Sequence, residues 1–440
     1  MRPDRPHQAR VIAWAKPRST AAFFLDMRLG KTHVAIRWAH FRAPRGLKLV
    51  VAPITTLISW CEELEADGMQ YVMLHGSSKQ KLAKLDSRKS DQKWILVNPE
   101  GLRACPALLA GLQLEVVILD ESTFISNPAA KITKMMLLKL GDVKNRAILS
   151  GDPDPEGTLH AYYCQMKFLA GYWWMNCMSF WHWRTRYFHK SGYDWKPHTT
   201  TEFLIQRAVK EDAYVLSSDK IFGHKPVRVR RHVDMSPKLM KLYKNAWKKF
   251  ELGDAQTKWT PVVQTWLAQM AGGSIPKDYD ARGKKFFDDF KMKELRRLLD
   301  TELAHKQVVV FFRFTREIMR AEKLLQDCAV VHGKTTIPTR KRNIENFRKG
   351  KVRVLLMQAK CARYALPLWM ASAAIFYSNY WDCGTRKQLE ARLHGENRTD
   401  QPLYIDLVAK NTVDEKVVNV LGEKKYSSSE FLRRVREIRL

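Results

Sequence analysis

The chain has 440 residues, too many for one ordinary compact domain and suited to two, and its 45% hydrophobic share lets each bury a proper core. Lys+Arg 76 against Asp+Glu 45 leave a formal charge of +31, which repels itself unless a polyanion is near; the expected partner is nucleic acid, with no membrane. Seven scattered cysteines without a C-x-x-C pair, an N-terminus without an apolar leader, and no run of membrane-span length exclude a zinc ribbon and a spanning protein, and set the expectation of a soluble, cytoplasmic chain.

Short apolar runs ending in polar or turn residues recur at 21–26, 47–52, 94–98, 115–120 and 146–150. Runs of this length mark strands buried on both faces of a parallel sheet covered by helices. From about 158 to 300 the rhythm changes. An aromatic-rich helical stretch comes first, with Tyr172, Trp173, Trp174, Phe180, Trp181, Trp183, Tyr187 and Phe188. A basic strand at 225–233, a basic helix at 236–250 and a loop at 271–284 follow. The strand habit returns at 307–312, 352–357, 373–378 and 403–408, which implies a second α/β lobe.

The first chemical signal sits after the first run. Phe23-Phe24-Leu25-Asp26 ends a strand, and Met27-Arg28-Leu29-Gly30-Lys31-Thr32 opens a helix. Such a turn aims backbone N–H groups and a helix N-terminus at the β- and γ-phosphates, while the lysine neutralises charge and the threonine hydroxyl ligates Mg²⁺. The full phosphate-loop pattern also has a glycine where this chain has Leu25. A second element supplies what Gly-Lys-Thr alone lacks. Val116-Val117-Ile118-Leu119 delivers Asp120-Glu121 at a strand end, where Asp120 can hold Mg²⁺ and Glu121 can polarise the attacking water. Together they read as an ATP site.

These residues resemble superfamily 2 helicases of the Snf type, chromatin-remodeller-like DNA translocases, with the compact phage and prophage members nearest in character. Asp26-Met27-Arg28-Leu29-Gly30-Lys31-Thr32 is similar to the family's D-M-G-L-G-K-T, and Asp120-Glu121-Ser122 stands in the DEAH-box position. Arg5-Pro6-His7-Gln8 resembles the adenine-sensing Q motif, so Gln8 is implied to read the base. Ser150-Gly151-Asp152-Pro153 resembles motif III, and Gln388-Leu389-Glu390-Ala391-Arg392 the start of motif VI. The resemblance implies an α/β fold of two RecA-like parallel-sheet lobes with a helical insert between them. Lobe 1 is expected over 1–225, a basic strand and helical linker over 226–292, and lobe 2 over 293–440.

It further implies a motor that hydrolyses ATP between the lobes while gripping DNA, duplex and sequence-tolerant. Lys31, Asp120, Glu121, Gln388 and Arg392 are the expected catalytic residues. Gln8, Arg28, Leu29, Gly30, Lys31, Thr32 and Arg398 are expected at the nucleotide, and Thr32 and Asp120 at Mg²⁺. The departures are chemical. Arg28 replaces a glycine, Asp152 replaces a threonine, Arg363-Tyr364-Ala365-Leu366-Pro367 replaces the glycine-rich motif V, and Gly395 stands where a second motif VI arginine belongs. Arg398, three residues further on, is the expected substitute. The alternative reading is a hydrolysis-impaired, helicase-like DNA-binding module with a structural or recruitment role.

The remaining features carry two roles each. The aromatic stretch is expected to be core packing of the insert, with base stacking as the other role. Arg228, Arg230 and Arg231 either contact phosphate or form a solvated face, and so do Lys238, Lys241, Lys244 and Lys248. Cys177, His182, His189 and His198 lack the paired spacing of a zinc site.

Overall fold

The computed structural model describes the chain apart from residues 1, 193, 223–225, 250, 253–254, 257–259, 275–287, 326, 364–367, 395–397, 399 and 423–440. Most of the motif V replacement and Gly395 thus lie outside the described residues. Two units emerge, one over Met1–Ile221 and one over Phe222–Glu423, each built on its own parallel sheet. Among the described residues no helix is long and apolar enough to cross a membrane.

The strands of the first unit are β1 (Thr20–Leu25), β2 (Leu47–Val51), β3 (Tyr71–Leu74), β4 (Trp94–Val97), β5 (Leu114–Asp120) and β6 (Asn145–Leu149). A hairpin of β7 (Phe188–Ser191) and β8 (Asp194–Pro197) precedes β9 (Ala213–Leu216). The large sheet runs β3-β4-β2-β5-β6-β1-β9 with every pairing parallel. Its central strands are the apolar runs of the sequence: all of β4 and all but the first residue of β1 and β2 are buried. The edges β3 and β9 are half exposed, although each is itself a four-residue apolar run. Phe23 pairs with Leu149 and Asp120 also pairs with Leu149, so the C-terminal ends of β1, β6 and β5 lie level along one edge. That edge is where open α/β sheets bind ligands.

The aromatic stretch belongs to this unit. Trp174, Phe180, Trp183 and Phe188 join the same core cluster as the strand residues, and Trp183 is fully buried. Core packing accounts for these four rings. Tyr172, Trp173 and Trp181 are exposed instead.

The second unit contains β10 (Val227–Val233), a two-residue hairpin of β11 (Glu251–Leu252) and β12 (Ala255–Gln256), then β13 (Val308–Phe312), β14 (Cys328–Val331), β15 (Val354–Gln358), β16 (Ala373–Phe376) and β17 (Leu403–Ala409). Its sheet runs β10-β17-β16-β13-β15-β14, again all parallel. This corrects the expected linker over 226–292. β10 is the edge strand of the second sheet, paired from Val227↔Leu403 to Val233↔Ala409. Its arginines face neighbours within the unit: Arg228 donates to Glu390 at 2.9 Å, Arg230 to Asn419 at 2.8 Å and Arg231 to Glu302 at 2.7 Å. The helices Pro237–Lys249 and Thr260–Ala271 are not a tether either. Leu239, Tyr243, Trp266 and Met270 form one cluster with Val413 and Val417. Lys238, Lys241, Lys244 and Lys248 stand exposed on the outer face of the first of these helices.

A buried carboxylate makes this unit sensitive to pH. Glu317 is 1% exposed, accepts from Ser378 Oγ and from the Phe314 N–H, and is pushed up to about 7, chiefly by burial. Lys291 and the two hydrogen bonds work against the rise, and Asp414 adds to it. With its folded value above the ordinary 4.5, Glu317 holds its proton in the native chain where the unfolded chain has lost it. Its contribution to stability is therefore full below about pH 4.5 and is lost as pH rises through about 7. Urea unfolding across that window should show wild type losing stability relative to Glu317→Gln; parallel pH profiles would refute the assignment.

Candidate nucleotide site

The site is built on the level edge of β1, β6 and β5. After Leu25 the chain turns through Asp26–Gly30 into the helix Lys31–Arg42. Two residues of the turn adopt left-handed backbone, Arg28 at φ 70° and Gly30 at φ 76°. The turn is clamped from the helix Pro6–Ala15: His7 Nε2 meets the Leu29 carbonyl at 3.1 Å, and Gln8 Nε2 donates to it at 3.4 Å. Gln8 also accepts from the Arg5 N–H at 3.0 Å, so one end of its amide caps its own helix while the other braces the loop. A Cβ on Gly30 would lie 2.1 Å from Gln8 Nε2. Gly30→Ala should therefore displace Gln8 and strain the turn by about 1–2 kcal/mol, read as weaker binding of a fluorescent ATP analogue. Unchanged affinity would show that the loop tolerates the side chain.

Lys31 opens the helix, and its Nζ donates to the Leu25 carbonyl at 3.0 Å. Gly151, after β6, comes so close that a Cβ there would stand 3.2 Å from that ammonium. Thr32 follows, half-buried. Asp26, which begins the turn, accepts from Ser218 N–H at 2.8 Å and from its hydroxyl at 3.1 Å, tying the loop to the segment after β9.

Asp120 ends β5 and is 4% exposed. Trp60 Nε1 donates to one oxygen at 2.8 Å, and the Glu121 N–H donates to the other at 2.8 Å. Burial raises its pKa, opposed by the Trp60 bond and by the charge of Lys31. Both bonded donors are neutral, so a buried carboxylate beside Lys31 is left able to take a cation. A Thr32 hydroxyl and an Asp120 carboxylate are the oxygen donors Mg²⁺ prefers, and the residues fit that ion. Glu121, next in the chain, has a left-handed φ of 50° and is half-buried. Among the described residues no group of three His, Cys, Asp or Glu could hold a metal by itself.

In the second unit, Gln388 lies on the helix Cys383–Ala391 and is half-buried, and Arg392 caps that helix. The Arg392 carbonyl accepts from the Leu368 N–H at 2.9 Å. Arg398 corrects an expectation. It is 5% exposed, and its guanidinium donates to the carbonyls of Ala371 at 2.8 Å, Leu393 at 2.9 Å and Ser372 at 3.2 Å, and to Asp400. Its planar fork is used within its own unit, which makes it a clamp on backbone carbonyls and not a spare arginine for a nucleotide.

Two family models match this chain, the SNF2-related domain over residues 7–324 and the helicase conserved C-terminal domain over residues 290–395. The chain belongs to the SNF2-related domain family. It is 22% identical to an ATP-dependent helicase of Mycoplasma genitalium over 419 residues, covering 91% of this chain and 39% of that one. It is 23% identical to the SWI/SNF-related matrix-associated actin-dependent regulator of chromatin subfamily A-like protein 1 of Drosophila melanogaster, covering 91% and 52%. Among solved structures it is similar to the Sulfolobus solfataricus SWI2/SNF2 ATPase core in complex with dsDNA, with 20% identity, a TM-score of 0.46, and coverage of 99% and 97%. The chain spans roughly two-fifths to one half of the length of these two curated relatives.

The SNF2-related core uses residues that sequence reasoning missed. Gln165 is fully buried; its Oε1 accepts from Ser122 Oγ at 2.6 Å, and its Nε2 donates to the Pro153 carbonyl at 2.7 Å. One side chain thus joins the loop after Asp120 to the loop after Gly151. Ser218 holds Asp26 in the same way, as above. Neither lies within a recognisable motif around the group it supports, so the only signal was a polar residue in an apolar setting, as at Gln165 within helix Ala161–Ala170.

Proposed function

We propose that this SNF2-related chain is a DNA-dependent ATPase that translocates along duplex DNA and binds ATP at the Asp26–Thr32 turn. The observation that carries the reading is the buried Asp120 carboxylate, bonded among the described residues to the neutral Trp60 and Glu121 N–H donors and lying within electrostatic reach of Lys31 on a glycine-turned loop. The ATP-dependent helicase named among its relatives and the +31 charge agree with it.

In this reading Lys31 neutralises the terminal phosphates, and the helix that it opens directs backbone N–H groups at them. Mg²⁺ held by Thr32 and Asp120 would supply charge neutralisation of the β- and γ-phosphates. Glu121 orients the attacking water, its carboxylate accepting the proton. Arg392 stabilises charge on the γ-phosphate, and Gln388, four residues earlier, shares its helix face. Basic residues grip the DNA backbone without reading bases, so affinity falls with salt. The test is phosphate release with and without a blunt duplex at two salt concentrations. DNA should raise the rate and salt should reverse the rise. A rate indifferent to DNA would overturn the motor reading and leave a binding module.

A further inference from the structure

We infer that the aromatic face of the first unit, centred on Trp181 and Arg184, is a landing surface for unpaired nucleotides of a single nucleic-acid strand. The inference goes beyond the phosphate grip proposed above and rests on that reading only for the class of polymer. The helix Phe180–Tyr187 sends Phe180 and Trp183 into the core, and these rings anchor it. Trp181 points the other way and is 58% exposed. Arg184 lies three residues on, hence on the same face. Its guanidinium carbon is 4.5 Å from the Trp181 ring centre and 4.1 Å from that of Trp195 on β8, so the cation lies between two indoles.

Three observations say what this stack is for. First, among the described residues no hydrogen bond or ion pair engages the Arg184 guanidinium, and its buried Nε has no partner. An arginine that merely filled space would satisfy its buried donor, since an N–H shielded from water without an acceptor is costly. Second, the same aromatic segment exposes two further rings, Tyr172 and Trp173, at 68% and 52%, with ring centres 6.1 Å from each other. Third, residues 161–200 hold five Lys or Arg (Lys167, Arg184, Arg186, Lys190, Lys196) against one acidic residue, Asp194. Lys190 is exposed and sits directly across the hairpin from Trp195.

An exposed ring with a cation beside it fits a base stacked on the indole and its phosphate on Arg184 and Lys190. A blunt duplex keeps its base faces stacked inside and offers only end pairs, so the surface selects unpaired nucleotides.

The test uses the full chain, with fluorescence anisotropy of labelled oligothymidylate and of a labelled blunt duplex. Trp181→Ala should weaken oligothymidylate binding about tenfold, with Trp181→Phe between it and wild type. Arg184→Lys, which keeps the charge but loses the flat fork, should weaken it less than Trp181→Ala. Duplex affinity and duplex-stimulated phosphate release should stay at wild-type level in all three. Since Trp181 is exposed, melting curves should superimpose, and the graded order of Phe and Ala distinguishes stacking from unfolding. Oligothymidylate affinity that ignores Trp181, or a loss shared equally by the duplex, would overturn this inference alone. Failure of the wild type to bind either polymer would overturn the proposed function with it.

Discussion

Lys31→Ala should lower DNA-stimulated phosphate release at least about 100-fold, the usual scale for removing one preorganised charge from a site of this kind. The lysine stands at the helix start with its ammonium 3.0 Å from the Leu25 carbonyl and crowded by Gly151. It is the cation that the buried Asp120 feels, and it opposes the rise that burial imposes on that carboxyl. Truncation therefore has two effects. It removes the charge that meets the terminal phosphates, and it leaves Asp120 buried with less reason to ionise. Lys31→Arg should recover little, because a planar, delocalised guanidinium does not reproduce the compact point charge of the ammonium. The measurement is steady-state phosphate release at saturating duplex DNA, with circular dichroism as a folding control. Turnover that survives the alanine change would place the chemistry elsewhere.

Arg386→Ala should destabilise the second unit by about 3–5 kcal/mol, the scale for breaking a buried ion pair from one side. Arg386 is 7% exposed; its guanidinium binds Asp406 at 2.5 and 2.9 Å, Glu390 at 2.9 Å and Asn379 at 2.8 Å. The same group lies flat over the Phe376 ring at 3.3 Å. Glu390 and Asp406 are 4% and 5% exposed, and truncation would leave two buried carboxylates without the cation that bridges them, Arg228 remaining beside Glu390 and the Asn379 amide beside Asp406. Urea unfolding, followed through the transition that carries the second unit, measures the loss. Arg386→Lys should restore a part only, since an ammonium cannot bridge both carboxylates and stack on Phe376 at once. A midpoint unchanged by the alanine substitution would show that the network adds nothing to stability.

Much of the architecture was legible in the amino-acid order. The central strands of both sheets are apolar runs because each is buried on both faces, and that pattern survives in one dimension. The phosphate loop and Asp120-Glu121 were legible for the same reason: each is a contiguous segment whose chemistry needs adjacent residues at fixed spacing. Edge strands β3 and β9 were not, because a four-residue apolar run beside helical segments cannot be told from a piece of helix by its pattern alone.

Tertiary structure decided what linear order leaves open. In a chain with 76 Lys and Arg, Arg386, Arg392 and Arg398 look alike as letters. Arg386 became the buried hub because the fold brings Asp406 to it, twenty residues on, and Arg398 became a clamp because the Ala371 and Ser372 carbonyls arrive from twenty-seven and twenty-six residues back. β10 reads as a linker until β17, over 170 positions later, completes its ladder. Motifs follow from neighbours along the chain; the roles of single cations, buried amides and edge strands are set by partners that only folding brings within hydrogen-bonding distance.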